Sequence, residues 1–131
     1  QVALAFAQLA VIHPDGPWSK RLEDLLEALA GTLEENILGP TTLILAIDTY
    51  KQGYHVRLSG DPETENAKAL KKSVRRCYDP AMIIDLRDLQ TNAGTPAALE
   101  ICAKGTCHAP VKNPQDAQQL LDAVHDVSRE T

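Results

Sequence analysis

Tyr54-His55-Val56-Arg57-Leu58-Ser59-Gly60-Asp61-Pro62 is the stretch on which the fold turns. Its first five residues alternate with the period of two that marks a strand with one half-buried face. Ser59-Gly60-Asp61-Pro62 breaks the strand and opens a helix. Asp61 suits the N-cap and Pro62 the first helical position, while Glu63 and Glu65 put negative charge where the helix dipole favours it. The spacing predicts a helix running to about Tyr78, with Ala67, Leu70, Val74, Cys77 and Tyr78 on one side and Lys68, Lys71, Lys72, Arg75 and Arg76 on the other. A β-to-α unit therefore begins at residue 54.

Downstream, Ala81-Met82-Ile83-Ile84-Asp85-Leu86 is a short apolar run of the kind found in a buried strand, and 87–96 reads as a polar loop. Ala98-Leu99-Glu100-Ile101-Cys102 and Thr106-Cys107-His108 flank Ala103-Lys104-Gly105, a hairpin pattern in which glycine supplies a positive φ. Asn113 suits the N-cap of a last helix whose buried stripe is Ala117, Leu120, Leu121, Val124 and Val127. Upstream the texture is helical. Val2, Leu4, Phe6, Leu9, Val11 and Ile12 come with four alanines and almost no polar face, so that helix wants neighbours on several sides. After the break at His13-Pro14-Asp15-Gly16-Pro17, the stripe Trp18, Leu22, Leu25, Leu26, Leu29 and Leu33 marks a second, antiparallel helix. Gly39-Pro40 then separates it from a third, carrying Leu43, Ile44, Ala46, Ile47 and Tyr50 and stopping near Gly53. The expected fold is α+β (or α/β): two to three helices over residues 1–53 packed with a small β-α-β-β-α unit over 54–131, in one compact body.

A chain of 131 residues with 44% hydrophobic and 24% charged residues is a soluble globular composition with room for a core. Its formal charge of -5 works against general affinity for nucleic acid or anionic membrane surfaces. No stretch approaches the roughly 20 apolar residues that span a bilayer. The apolar opening, which starts without Met and lacks a basic lead, reads as a helix whose upstream sequence is missing. Three cysteines give no disulfide framework and fit a reducing, cytoplasmic compartment, one bridge plus one free thiol being the alternative.

The chemistry-bearing residues are few. Cys102 and Cys107, if placed across the hairpin, come close enough for a disulfide only if their Cβ atoms face each other, but the spacing is not Cys-x-x-Cys and small cysteines on a strand ordinarily pack. As a redox pair they would need a thiol pKa lowered by a neighbour such as Lys104 or His108. A metal site from Cys102, Cys107, His108 and a remote ligand such as His55 lacks the paired short spacings of zinc sites, so no metal or cofactor is expected. The basic face, with Lys68, Lys72, Arg75 and Arg76 as its candidate binding residues, offers a positive surface to an acidic partner, or is simply solvated. The Gly60-Asp61-Pro62 turn is too acidic to hold a phosphate. Asp48, Asp85 and Asp88 show no acid/base spacing, and His13 and His125 read as surface residues. No nucleophile-elbow, zinc-protease, P-loop or dinucleotide fingerprint occurs.

Val56-Arg57-Leu58-Ser59-Gly60-Asp61-Pro62, the helix end Val74-Arg75-Arg76-Cys77-Tyr78-Asp79-Pro80, and the Cys-x4-Cys-x2-Pro of Cys102, Cys107 and Pro110 resemble the C-terminal end of a family. Its members are thioredoxin-domain-containing proteins related to the spermatogenesis-associated thioredoxin-like protein. The resemblance implies that residues 2–53 are the last helices of an (α/α) toroid and the rest a terminal α/β unit. The family's thioredoxin-like domain has no counterpart in these 131 residues. The chain also departs from the family in a short loop after Leu86 and in Ala103-Lys104-Gly105-Thr106, where an aromatic-rich approach is usual. The expected function is a non-catalytic structural or interaction module, docking on a protein partner, on the remainder of a larger chain or on a second copy. The alternative is a thiol-disulfide redox protein using Cys102 and Cys107.

Overall fold

The structure, a computed structural model, describes residues 1–35, 41–77, 79–90 and 94–130, and the side chains of all of these except 32–35 and 129. Three helices come first: α1 (Val2–Ile12), α2 (Trp18–Glu35) and α3 (Thr41–Gln52). Strand β1 (Tyr54–Gly60), helix α4 (Glu65–Arg76), strands β2 (Met82–Leu89), β3 (Ala98–Ala103) and β4 (Thr106–Cys107), and helix α5 (Pro114–Arg129) follow. The class is α+β, with a mixed sheet in the order β2-β1-β3-β4. β1 runs parallel to β2 and antiparallel to β3. A parallel neighbour requires a crossover, and α4 is that crossover. Leu33, Tyr78 and the Asn36-to-Pro40 turn of the sequence reading lie outside the described side chains.

The alternation of β1 points Tyr54, Val56 and Leu58 into one core with Ala67, Leu70 and Val74 of α4, Ala117 and Leu121 of α5, and Leu99 and Ile101 of β3. The expectation of a half-buried strand is corrected here. The opposite face of β1 meets α1, so His55 is only 2% exposed. α1 earns its near-continuous apolarity from this position, because it packs on α2 and α3 as well as on β1. Ala3, Ala7 and Ala10 are buried at i, i+4 and i+7, the small stripe that lets neighbours approach closely; Ala3 and Ala7 join Leu22 and Ala46 in a second core. Gly53, between the helical part and the sheet, has no room for a side chain: a Cβ there would lie 2.3 Å from Thr49 O and 2.8 Å from Val11 Cγ2.

Four further expectations are corrected. Asp61 is not the N-cap of α4; Thr64 is, its hydroxyl accepting from the Ala67 N–H at 3.1 Å. Asp61 instead folds the turn ahead of the helix, its Oδ1 accepting from the Glu63 N–H and its carbonyl from the Thr64 hydroxyl. α4 therefore starts at Glu65 and ends at Arg76, short of Tyr78. β2 is not a doubly covered strand but the edge of the sheet, extending to Leu89 into what reads as loop, with Ile84 45% and Leu86 38% exposed. Val127 is 65% exposed, because the buried stripe of α5 ends with Val124 half-buried. The Asn113 cap stands as expected, with its Oδ1 accepting from the Gln115 N–H at 2.8 Å.

At Gly60 the backbone has φ +102°, and an added Cβ would lie 2.6 Å from Pro96 O and 2.7 Å from Ala97 Cα. Gly60→Ala should lower the unfolding free energy by about 2 kcal/mol or more. Gly31→Ala, in helix α2 with open space around it, should instead raise it by up to ~1 kcal/mol. Urea denaturation of both variants beside the parent chain checks the opposite signs.

Candidate functional site

The hairpin between β3 and β4 is closed by Lys104 and Gly105, both with positive φ (51° and 78°). A two-residue turn of this kind matches the twist of its strands and fixes their register. Ala103 faces Thr106, Cys102 faces Cys107, and the His108 N–H donates to Ile101 O at 2.8 Å. Cys102 and Cys107 thus occupy the closely approaching, non-hydrogen-bonded pair of the ladder, with Cα atoms 3.9 Å apart. They form a disulfide, the bridge-plus-thiol arrangement rather than two packing thiols. Cys77 keeps its thiol. Burial, followed by the carboxylates of Asp122, Asp79 and Asp126, pushes that thiol up from its ordinary value, so it stays protonated and weakly nucleophilic near neutral pH.

The charged group in contact with Cys102 Sγ is the Glu100 carboxylate, at 3.8 Å. Among the described residues, no cation of the kind a redox cysteine needs pairs with that sulfur. Glu100, Cys102 and Cys107 bring three potential metal donors within 4.8 Å, but the two sulfurs are spent on each other. His108 and His55 stand outside that cluster, so the four-residue metal set of the sequence is not assembled. Lys68, Lys72, Arg75 and Arg76 are exposed on α4, and Lys68 pairs with Glu65 at 3.3 Å. This is the wet face of an amphipathic helix, and an exposed pair of this sort contributes little stability.

Under α1 lies a buried polar group that the reading of the residues above did not assemble. Parallel register sets Arg57 beside Asp85, two residues along β1 from His55 and on the same face, and His55 Nε2 lies 3.3 Å from Asp85 Oδ2 without the alignment of a hydrogen bond. Arg87 grips the same carboxylate through Nε, at 2.9 and 3.0 Å, and through its terminal nitrogen at 2.6 Å. The Arg87 hydrogen bonds hold the Asp85 carboxyl far below the usual carboxylate range against the opposing effect of burial. Burial pushes the His55 imidazole down, and the upward pull of Asp85 does not overcome it. The signal available in sequence was the Asp85-x-Arg87 spacing, which puts two opposite charges on one face of a strand.

Beside this group the open edge of β2 borders a surface groove of about 600 Å³, lined by Leu9, Ile12 and His13 of the α1 end and by Ile84, Asp85, Leu86 and Arg87 of β2. Leu9 and Ile12 meet the edge strand there, and of its backbone the Arg87 N–H is held by Asp85 Oδ1 at 2.9 Å. No family model, no curated protein and no solved structure matches the chain.

Two outcomes follow from these assignments. In denaturant without reductant, titration with a thiol reagent should count one thiol, Cys77, and three after reduction. Removing the bridge by Cys102→Ser with Cys107→Ser should cost about 2 kcal/mol, the small value of a short closed loop. For pH, His55 binds its proton less readily in the folded chain than in the unfolded one, where an imidazole titrates at about pH 6.5. Stability should therefore fall as pH drops below about 6.5. Asp85 contributes stability that is complete above its unfolded pKa of about 4 and is lost as pH falls toward its depressed folded value. Urea midpoints between pH 7.5 and 5 should slope in the parent and flatten in His55→Phe; identical slopes would refute the assignment.

Proposed function

We propose that this chain is a non-catalytic interaction module that docks an extended segment of a protein partner, or of the remainder of a larger chain, along β2. The carrying observation is the open eight-residue edge of β2, with Ile84 and Leu86 exposed beside the groove formed with Leu9 and Ile12. Long apolar edge strands are templates for pairing, and an added strand would gain main-chain hydrogen bonds together with apolar cover. Val2, Ile44 and Leu45 are exposed as well, but they lie on α1 and α3, whose backbone groups are already used within helices. The resemblance to the C-terminal end of larger thioredoxin-domain-containing proteins supports the same reading, since such a piece packs against the rest of its chain.

A second reading, a thiol-disulfide redox protein, is favoured by one observation: the Cys102–Cys107 bond is formed and Cys107 is exposed. An external dithiol would attack Cys107 Sγ, release Cys102 as thiolate and then close its own disulfide, taking up the oxidation. Glu100 beside Cys102 makes that sulfur the poorer leaving group, which places this reading second.

Light scattering over a concentration series reaching millimolar tests the docking edge, because a second copy is the partner always present. Association should rise with concentration and vanish in Ile84→Lys with Leu86→Lys, two substitutions at exposed positions. A parent chain that stays monomeric throughout, indistinguishable from the variant, would contradict the proposal.

A further inference from the structure

Away from the β2 edge, the far half of α5 and the β3-β4 hairpin enclose a cleft of about 290 Å³. One wall is the α5 stripe of Leu120, Val124 and Val127, spaced i, i+4 and i+7, with Ala123 beside it. The other is Tyr54 and Ala103, while Gly53 contributes bare backbone at a position where no side chain fits. Lys104 and His108 also line the cleft, and among the described residues no acidic one does, in a chain whose net charge is -5. Lys104 occupies a positive-φ turn position where Asn, Asp or Gly is the ordinary choice, and it makes no ion pair among the described residues. A lysine at a positive-φ position, with no counter-ion or cleft acid among the described residues, has the features of an anion-reading group.

We infer that this cleft binds a small amphipathic carboxylate, its apolar body along Leu120, Val124 and Tyr54 and its carboxylate on Lys104. Taking the ~30 Å³ of liquid volume per water as the unit, the cleft has room for roughly ten non-hydrogen atoms, the size of octanoate. Tyr54 keeps its own proton, because burial and the neighbouring Asp79, to which its hydroxyl donates at 3.0 Å, raise its pKa well above the ordinary value. Its ring is therefore a neutral wall and does not repel the anion.

The test uses the whole chain, with octanoate titrated by calorimetry and by methyl NMR. Binding should saturate and move the resonances of Ala103, Leu120, Val124 and Val127. Shortening the probe to hexanoate should weaken it roughly tenfold, the effect of two methylenes. Lys104→Met should weaken octanoate about fivefold and leave 1-octanol unchanged. Ala123→Trp, at an exposed helix position, should fill the cleft and abolish both. No saturable binding, binding that survives Ala123→Trp, or shifts confined to other surfaces would overturn the site. Equal affinity for octanoate and octanol, together with an inert Lys104→Met, would overturn the ligand class.

Discussion

The structure depends on β1 being held on both edges and both faces at once. β2 and β3 take its backbone, α4 and α5 cover Tyr54, Val56 and Leu58, and α1 lies over the other face. A strand in that position must carry side chains that tolerate burial on either side, yet this one carries His55. Burial disfavours the charged form of His55, and the Asp85 carboxylate is pinned by Arg87 rather than left to itself. A buried carboxylate without such a partner would be costly. The alanine stripe of α1 belongs to the same constraint, because bulkier residues at Ala3, Ala7 and Ala10 would hold the helix off its neighbours.

The two flanks of the sheet are finished differently. On the β3 side, the Lys104-Gly105 turn, the Cys102–Cys107 bond and the Leu99–Val111 bridge close the edge with local devices. On the β2 side the strand is long and partly apolar, and it is shifted in register near its middle, where Arg57 reaches both Asp88 and Glu100 at 3.6 Å. Irregularity and charge are ordinary ways of discouraging indiscriminate pairing. Here they coexist with exposed Ile84 and Leu86, the two side chains on which the proposed docking rests. The cysteines then act as a staple on the finished flank.

Much of this was legible in the residues. Local signals carried through: Asn113 before Pro114, the buried Ala67, Leu70 and Val74 of α4, and the turn at Lys104-Gly105 each depend on neighbours within a few positions. What depended on distant partners was not legible. An apolar run such as Ala81 to Leu86 looks the same whether both its edges are paired or one is open. The alternation of β1 indicated one buried face and could not report that α1, some 40 residues upstream, seals the other. The Asp85–His55 approach is fixed by parallel register across 30 positions, and the disulfide by a register known only once the turn is known. Asp61 and Thr64 both suit a cap; the turn geometry, which gives Asp61 to Glu63 and Thr64 to Ala67, chose between them.

β1 is the closed middle of the sheet, and β2 is the edge proposed to dock a partner. Amide hydrogen exchange read residue by residue, at low and high protein concentration, tests it most directly. β1 amides should exchange only through global unfolding at every concentration, while the outward amides of β2 other than Arg87, whose N–H donates to Asp85, should exchange quickly in dilute solution and become protected as the concentration rises. Outward β2 amides that stay equally fast at all concentrations, or β1 amides that open locally, would contradict it.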